Sequence, residues 1–200
     1  MTISSPSYHS IKNVAYLIMG FIIIFILFDI DNLLSDKVDT RTFRIYWIIF
    51  IVALSLSLYW YYQATKNIQS FGTKEITSPV KAVIWWFVPV YFFWKPYIIT
   101  QQLWKASNPK TILASGTEWK NSPNSKIIKV WWILAVVSFF GPIIQGGMTA
   151  INLIPEVNDE VNDIVTNPFS IISYIGATLF MLIIRQISQW QELKVHENIS

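Results

Sequence analysis

The sequence predicts an all-α membrane protein: four transmembrane helices plus an aromatic interfacial or re-entrant helix. Three observations carry this. Hydrophobic residues make up 53% of the 200-residue chain and charged residues 14%, where a soluble domain carries roughly 25% charged residues. Those charges stand apart from the apolar runs. Four runs approach the roughly 20 residues that an apolar helix needs to cross about 30 Å of hydrocarbon: Val14–Leu34, Phe43–Tyr62, Val130–Met148 and Pro168–Arg185. The chain reads as a single helical membrane domain over residues 1–200.

Each run is apolar around most of its circumference, as a lipid-facing or bundle-buried helix must be. The first, 14–34, follows Lys12 but has no small-residue cleavage site after it; the chain continues Asp29-Ile30-Asp31. An uncleaved signal anchor is therefore expected rather than a removed leader. The second run, 43–62, has Arg41 and Arg44 at its start. The third, 130–148, carries Gly141-Pro142 and Gly146-Gly147 late in its length, a candidate hinge or a plain packing bend. The fourth, 168–185, holds Ser173 and Ala177, a small-residue pair suited to helix packing.

Residues 81–104 form the fifth apolar segment. Thirteen residues separate Lys81 from Lys95; as a helix they span about 20 Å, short of the hydrocarbon core. Extension to Trp104 immerses Lys95, Pro96, Gln101 and Gln102. A lysine at mid-bilayer costs about 3 kcal/mol, and prolines inside a helix each remove a backbone hydrogen bond. An interfacial or re-entrant element is expected, with tryptophans at headgroup level and lysines reaching to phosphates. A fifth, proline-kinked span is the alternative.

Loop charge orients the chain. With four spans and both termini inside, the 15 basic residues divide 12 inside to 3 outside; a five-span chain with its N-terminus outside gives 11 to 4. Both arrangements place the Lys-rich stretch 105–129 and the C-terminus in the cytoplasm and the acidic loop 149–166 outside.

The tryptophan and lysine positions nearest the cytoplasmic boundary are Trp85, Trp86, Trp94, Lys95, Trp104, Lys105, Trp131 and Trp132. They suit an aromatic belt and contact with anionic lipid, each lysine near the surface adding about 1 kcal/mol. Asp29 and Asp31 close the first span, with Asp36 and Asp39 beyond. Positions i and i+2 do not share a helix face, so a solvated cap is favoured over a cation-attracting mouth. Residues 156–165 place Glu156, Asp159, Glu160 and Asp163 on one face of a short amphipathic helix, read as a solvated face.

The run Ser78-Pro79, Trp85-Trp86-Phe87-Val88-Pro89, Trp94-Lys95-Pro96-Tyr97 and Leu103-Trp104-Lys105-Ala106-Ser107 resembles a bacterial membrane family, domain of unknown function 4328. Asn67-Ile68 and Phe71-Gly72 upstream, and Arg185-Gln186-Ile187 after the last span, resemble its further segments. The layout covers about residues 10–195 and is sharp from 67 to 107. Phe92 departs from the pattern, standing where members commonly carry Asn. The resemblance implies a multi-pass protein of the bacterial inner membrane and supplies no reaction.

Enzymatic function is not expected. The chain has no cysteine and two histidines, His9 and His196, near its ends, and it lacks phosphate-loop, zinc-protease and nucleophile-elbow motifs. No catalytic residue, metal ligand, cofactor or nucleic-acid partner is expected; the mild basic excess of +3 follows from loop orientation. The role expected is a non-enzymatic subunit or scaffold that binds membrane lipid and associates with other membrane proteins or itself. A small channel or transporter is the alternative.

Overall fold

The computed structural model of the protein describes residues 8–34, 40–109, 116–150 and 168–197. Every regular element among them is helical: α1 (Lys12–Leu34), α2 (Thr40–Ser70), α3 (Pro79–Ile84), α4 (Pro89–Phe92), α5 (Lys95–Ser107), α6 (Lys126–Ala150) and α7 (Pro168–Glu197), with a 3-10 turn at Glu118–Asn121. Among the described residues three helices are long and apolar enough to cross a membrane: Lys12–Ile30, Arg44–Ser70 and Phe169–Val195. The predicted third span falls in the 25-residue α6. The acidic stretch 156–165, Asp36 and Asp39 lie outside the described residues.

The long helices are ordered α2, α1, α7, α6, each packed on the next. Helices α1 and α6 run away from one end of the bundle and α2 and α7 return to it. At this end, which we call the near end, α3, α4 and α5 fill the wedge between α2 and α6. The core is concentrated here. Ile18 of α1, Trp60 and Ile68 of α2, Leu103 of α5 and Ile187 of α7 are all fully buried. In the opposite half, Ile23, Leu27, Ile48 and Ile144 are exposed on the outer faces, as lipid-facing side chains should be.

A polar knot holds the near end together. Gln191 of α7, fully buried, donates from Nε2 to the Ala64 carbonyl (3.2 Å) and to Ser107 Oγ (3.1 Å), and its Oε1 accepts from Asn67 Nδ2 (3.1 Å). Asn67 closes on the N-terminal segment, donating to the His9 carbonyl (2.8 Å) while its Oδ1 accepts from the His9 N–H (3.1 Å). Three helices and the N-terminal segment thus meet on two amides. Around them, Trp60 Nε1 donates to Ser188 Oγ (2.9 Å), Tyr61 and Thr100 share a hydroxyl pair (2.8 Å), and Lys194 donates to the Ala106 carbonyl. Tyr8 donates to Glu192 (3.1 Å); burial, and then the Glu192 charge, push its phenol up to about 12, so it stays a neutral donor.

Two helices overrun their predicted ends for this reason. Hydropathy closes the second and fourth spans at Tyr62 and Arg185, but α2 continues to Ser70 and α7 to Glu197. The added turns are polar in sequence yet buried at Thr65, Asn67, Ser188 and Gln191, because each amide finds a partner on a neighbouring helix. Gly72, at φ +84°, then takes the left-handed position that ends α2.

Part of the polar stretch 107–125 is docked rather than free. Trp119, 6% exposed, donates from Nε1 to the Lys74 carbonyl (3.0 Å), Lys120 pairs with Glu75, and the Lys74 N–H donates to the Gly116 carbonyl (2.9 Å).

Replacing Gln191 with Leu strands the Asn67 and Ser107 groups in a closed interior. We expect a loss of about 2–4 kcal/mol, with each unsatisfied buried group costing about 1–3 kcal/mol. Thermal melting of the purified protein checks this, and an unchanged melting temperature would remove the knot from the account.

Candidate functional site

The wedge is built by prolines. Each of its three helices has one at its first or second position: Pro79 in α3, Pro89 in α4 and Pro96 in α5. Proline has no N–H to lose there and its fixed φ suits a helix start. Ser78 caps α3, its Oγ accepting from the Lys81 N–H (3.4 Å). No helix of the segment exceeds 13 residues.

Both ends of the wedge return to the near end. Its entry is tied by the Thr77 N–H to Gln102 Oε1 (3.1 Å) and its exit by Ser107 to Gln191. Between them α4 reaches along α6: Phe92 packs on Phe139 (5.4 Å between ring centres) and Phe93 stacks on Phe140 (5.1 Å). Those partners lie about 15 Å beyond Lys129 at 1.5 Å per residue. The tip is anchored by Trp132 Nε1, which donates to the Phe93 carbonyl (2.9 Å). Trp86 joins the sides of the bundle, touching Tyr61 of α2 (5.4 Å) and Trp132 of α6 (6.1 Å). Its indole N–H is buried with no acceptor among the described residues. Lys95 lies over the Trp85 ring, 4.2 Å from its centre, a cation–π contact.

Above the wedge lies a cavity of about 590 Å³, within the roughly 300–1,000 Å³ range of ligand sites. Its floor is Tyr61, Trp86 and Trp131, and one face of α2 lines it from Tyr46 through Phe50 and Ser57. At the far end stand Asp29 of α1, Tyr46 of α2 and Tyr174 of α7. Tyr174 donates to Asp29 Oδ2 (2.6 Å), pinning α7 to α1. The arrangement offers a carboxylate and two phenols at one end and aromatic walls along the rest.

A family model described as domain of unknown function (DUF4328) matches residues 34–189. The chain belongs to this family. Comparison with curated proteins and with solved structures gives no match.

The residues that carried the DUF4328 resemblance are those that build the wedge and its knot. Ser78-Pro79, Val88-Pro89 and Lys95-Pro96 are the three helix starts. Leu103 and Ser107 are among the buried positions of α5, and Asn67 is the α2 member of the knot. Phe92, the departure from that pattern, packs half-buried against Trp86, Trp132, Phe139 and Phe140.

The expected interface residues divide. Trp94 is 43% exposed and Trp85 holds Lys95, while Trp104 packs on Trp190 (4.6 Å) and Lys105 donates to the Lys120 carbonyl (3.4 Å). Trp131 and Trp132, 5% and 8% exposed, turn inward with Trp86 and pack within the bundle. The glycine–proline positions Gly141, Pro142, Gly146 and Gly147 all fall within α6, which is helical throughout Lys126–Ala150. Gly141 lies against Phe169 of α7, where an added Cβ would come within 2.0 Å of the ring. Ser173, Gly176 and Ala177 line the cavity, and a Cβ added at Gly176 would meet Leu134 of α6 at 3.6 Å. Asp29, read as a solvated cap, stands in the cavity wall; only contact with Tyr174, far away in sequence, reveals that.

Trp132→Phe keeps the ring and strands the Phe93 carbonyl. We expect a loss of about 1–3 kcal/mol and faster amide exchange confined to residues 88–94; unaltered exchange there would show that the tip is held by packing alone.

Proposed function

We propose that the protein is a four-span, non-enzymatic subunit or scaffold of the bacterial inner membrane, with its near end and C-terminus in the cytoplasm. α1, α2, α6 and α7 are the spans, and residues 81–104 are the re-entrant element, entering and leaving at one side. The basic excess of the near-end loops supports this orientation. So does the wedge: none of its helices reaches the length that a crossing requires.

One observation carries the reading. The outer surface of the wedge presents Phe87, Val90 and Trp94 (64%, 62% and 43% exposed) beside Lys81 and Lys95. A rigid element braced on three helices, apolar outward and edged by ammonium groups, suits anionic lipid and the flank of another membrane protein. Nucleic acid, cofactor and metal play no part in this reading. The cavity favours the second reading, a small channel or transporter, because it gives an elongated path along α2 with a carboxylate at its far end.

Two experiments test the proposal. The chain has no native cysteine, so Lys74→Cys, at an exposed turn, reports its side without background. Labelling by an impermeant maleimide is expected only after the cells are permeabilised; labelling of intact cells would overturn the four-span arrangement. Purification in native lipid discs is expected to yield self-association or a co-purifying membrane protein, reduced several-fold by Phe87→Ser with Trp94→Ser. A monomer without companions would defeat the scaffold reading, and proteoliposome flux lost in Asp29→Asn would establish the transporter in its place.

A further inference from the structure

We propose that the cavity between α2 and α6 binds a cationic amphiphile, its ammonium group at Asp29 and its apolar chain directed toward Tyr61 and Trp86. This goes beyond the scaffold reading and does not rest on it.

The shape of the cavity is the first argument. A single face of α2 lines it from Tyr46 to Tyr61, about 22 Å at 1.5 Å per residue. The site is therefore an elongated slot that suits an extended chain.

Its two ends differ in chemistry. Among the described residues Asp29 is the only charged one in the lining, and no lysine or arginine is among them. Among the described residues Asp29 forms no ion pair. Tyr174 takes one lone pair of one carboxylate oxygen, leaving acceptor capacity for a donor from a ligand. A carboxylate at the end of a membrane span without a countercharge in its described wall favours a cationic partner. Beside it, the Phe25 and Tyr46 rings pack at 4.5 Å between centres, and aromatic faces of this kind attract an ammonium group. An anionic amphiphile would meet repulsion here, and a neutral one would leave the charge uncompensated.

Access is lateral. Helices α2 and α6 both line the slot, yet each packs on another long helix and not on its opposite number. The wedge closes the gap at the near end only, through Trp86 between Tyr61 and Trp132. A chain dissolved in the bilayer can therefore enter between them with its head already at the membrane boundary.

The test uses the full chain in phosphatidylcholine nanodiscs with a photoreactive dodecylamine. Covalent labelling should map to the slot-facing positions of α2, α6 and α7, and dodecylamine should compete where dodecanol does not. Asp29→Asn should weaken competition about tenfold or more, since it removes a charge-assisted contact, while Asp29→Glu retains most of it. Ala53→Phe fills the middle of the slot without touching the carboxylate and should abolish labelling; it also decides the matter if Asp29→Asn fails to fold by melting temperature. Equal labelling in the wild type and Ala53→Phe, or dodecanol competing as well as the amine, would overturn the proposal.

Discussion

The architecture depends on one buried amide pair. Asn67 and Gln191 sit where the N-terminal segment, α2, α5 and α7 converge, and between them they engage His9, Ala64 and Ser107. Unpaired amides would make this end unstable, since a buried polar group without a partner costs several kcal/mol in a medium that cannot hydrogen-bond. Paired, they allow polar helical turns to be buried, and so let α2 and α7 run past the apolar limit of their spans. The wedge is held from this point, because its exit helix α5 ends on Gln191.

The wedge in turn shapes the rest of the molecule. Three proline-started helices cannot continue one another, so the segment folds back and brings its aromatic tip against α6. Trp86, Trp132 and Phe92 then hold α2 and α6 apart at the near end. At the far end the Tyr174–Asp29 hydrogen bond joins α7 to α1, and the Phe25–Tyr46 ring contact joins α1 to α2. The cavity is the space left between a filled end and a pinned end, and its lining follows from which helix faces remain without a protein neighbour.

Much of this was legible in the residues. Apolar runs of about 20 residues located the long helices, because length and hydropathy are local requirements of a bilayer. Lys81, Pro89, Lys95 and Pro96 point to an interfacial or re-entrant segment at 81–104 over a kinked span, and α4 and α5 begin at Pro89 and at Lys95-Pro96. The ends of α2 and α7 were not legible, since Asn67 and Gln191 look like loop residues until each supplies the other's partner. Tryptophan's preference for interfaces is an average that points Trp131 and Trp132 to a headgroup belt; their burial follows from the wedge packing beside them. Local sequence makes Asp29 look like a cap, because the partner that places it, Tyr174, is 145 residues away.

Composition and periodicity by themselves determined that the chain is helical, apolar enough for membrane spans, and interrupted in its middle, and the order of its motifs identified its family. All of these are properties of short stretches, set by transfer free energy and backbone chemistry. Tertiary structure alone decided which polar residues are buried, which tryptophans face inward, and that a carboxylate and two phenols meet at the mouth of a slot. Those outcomes depend on pairings between distant segments, and a pairing has no signature until the helices are side by side.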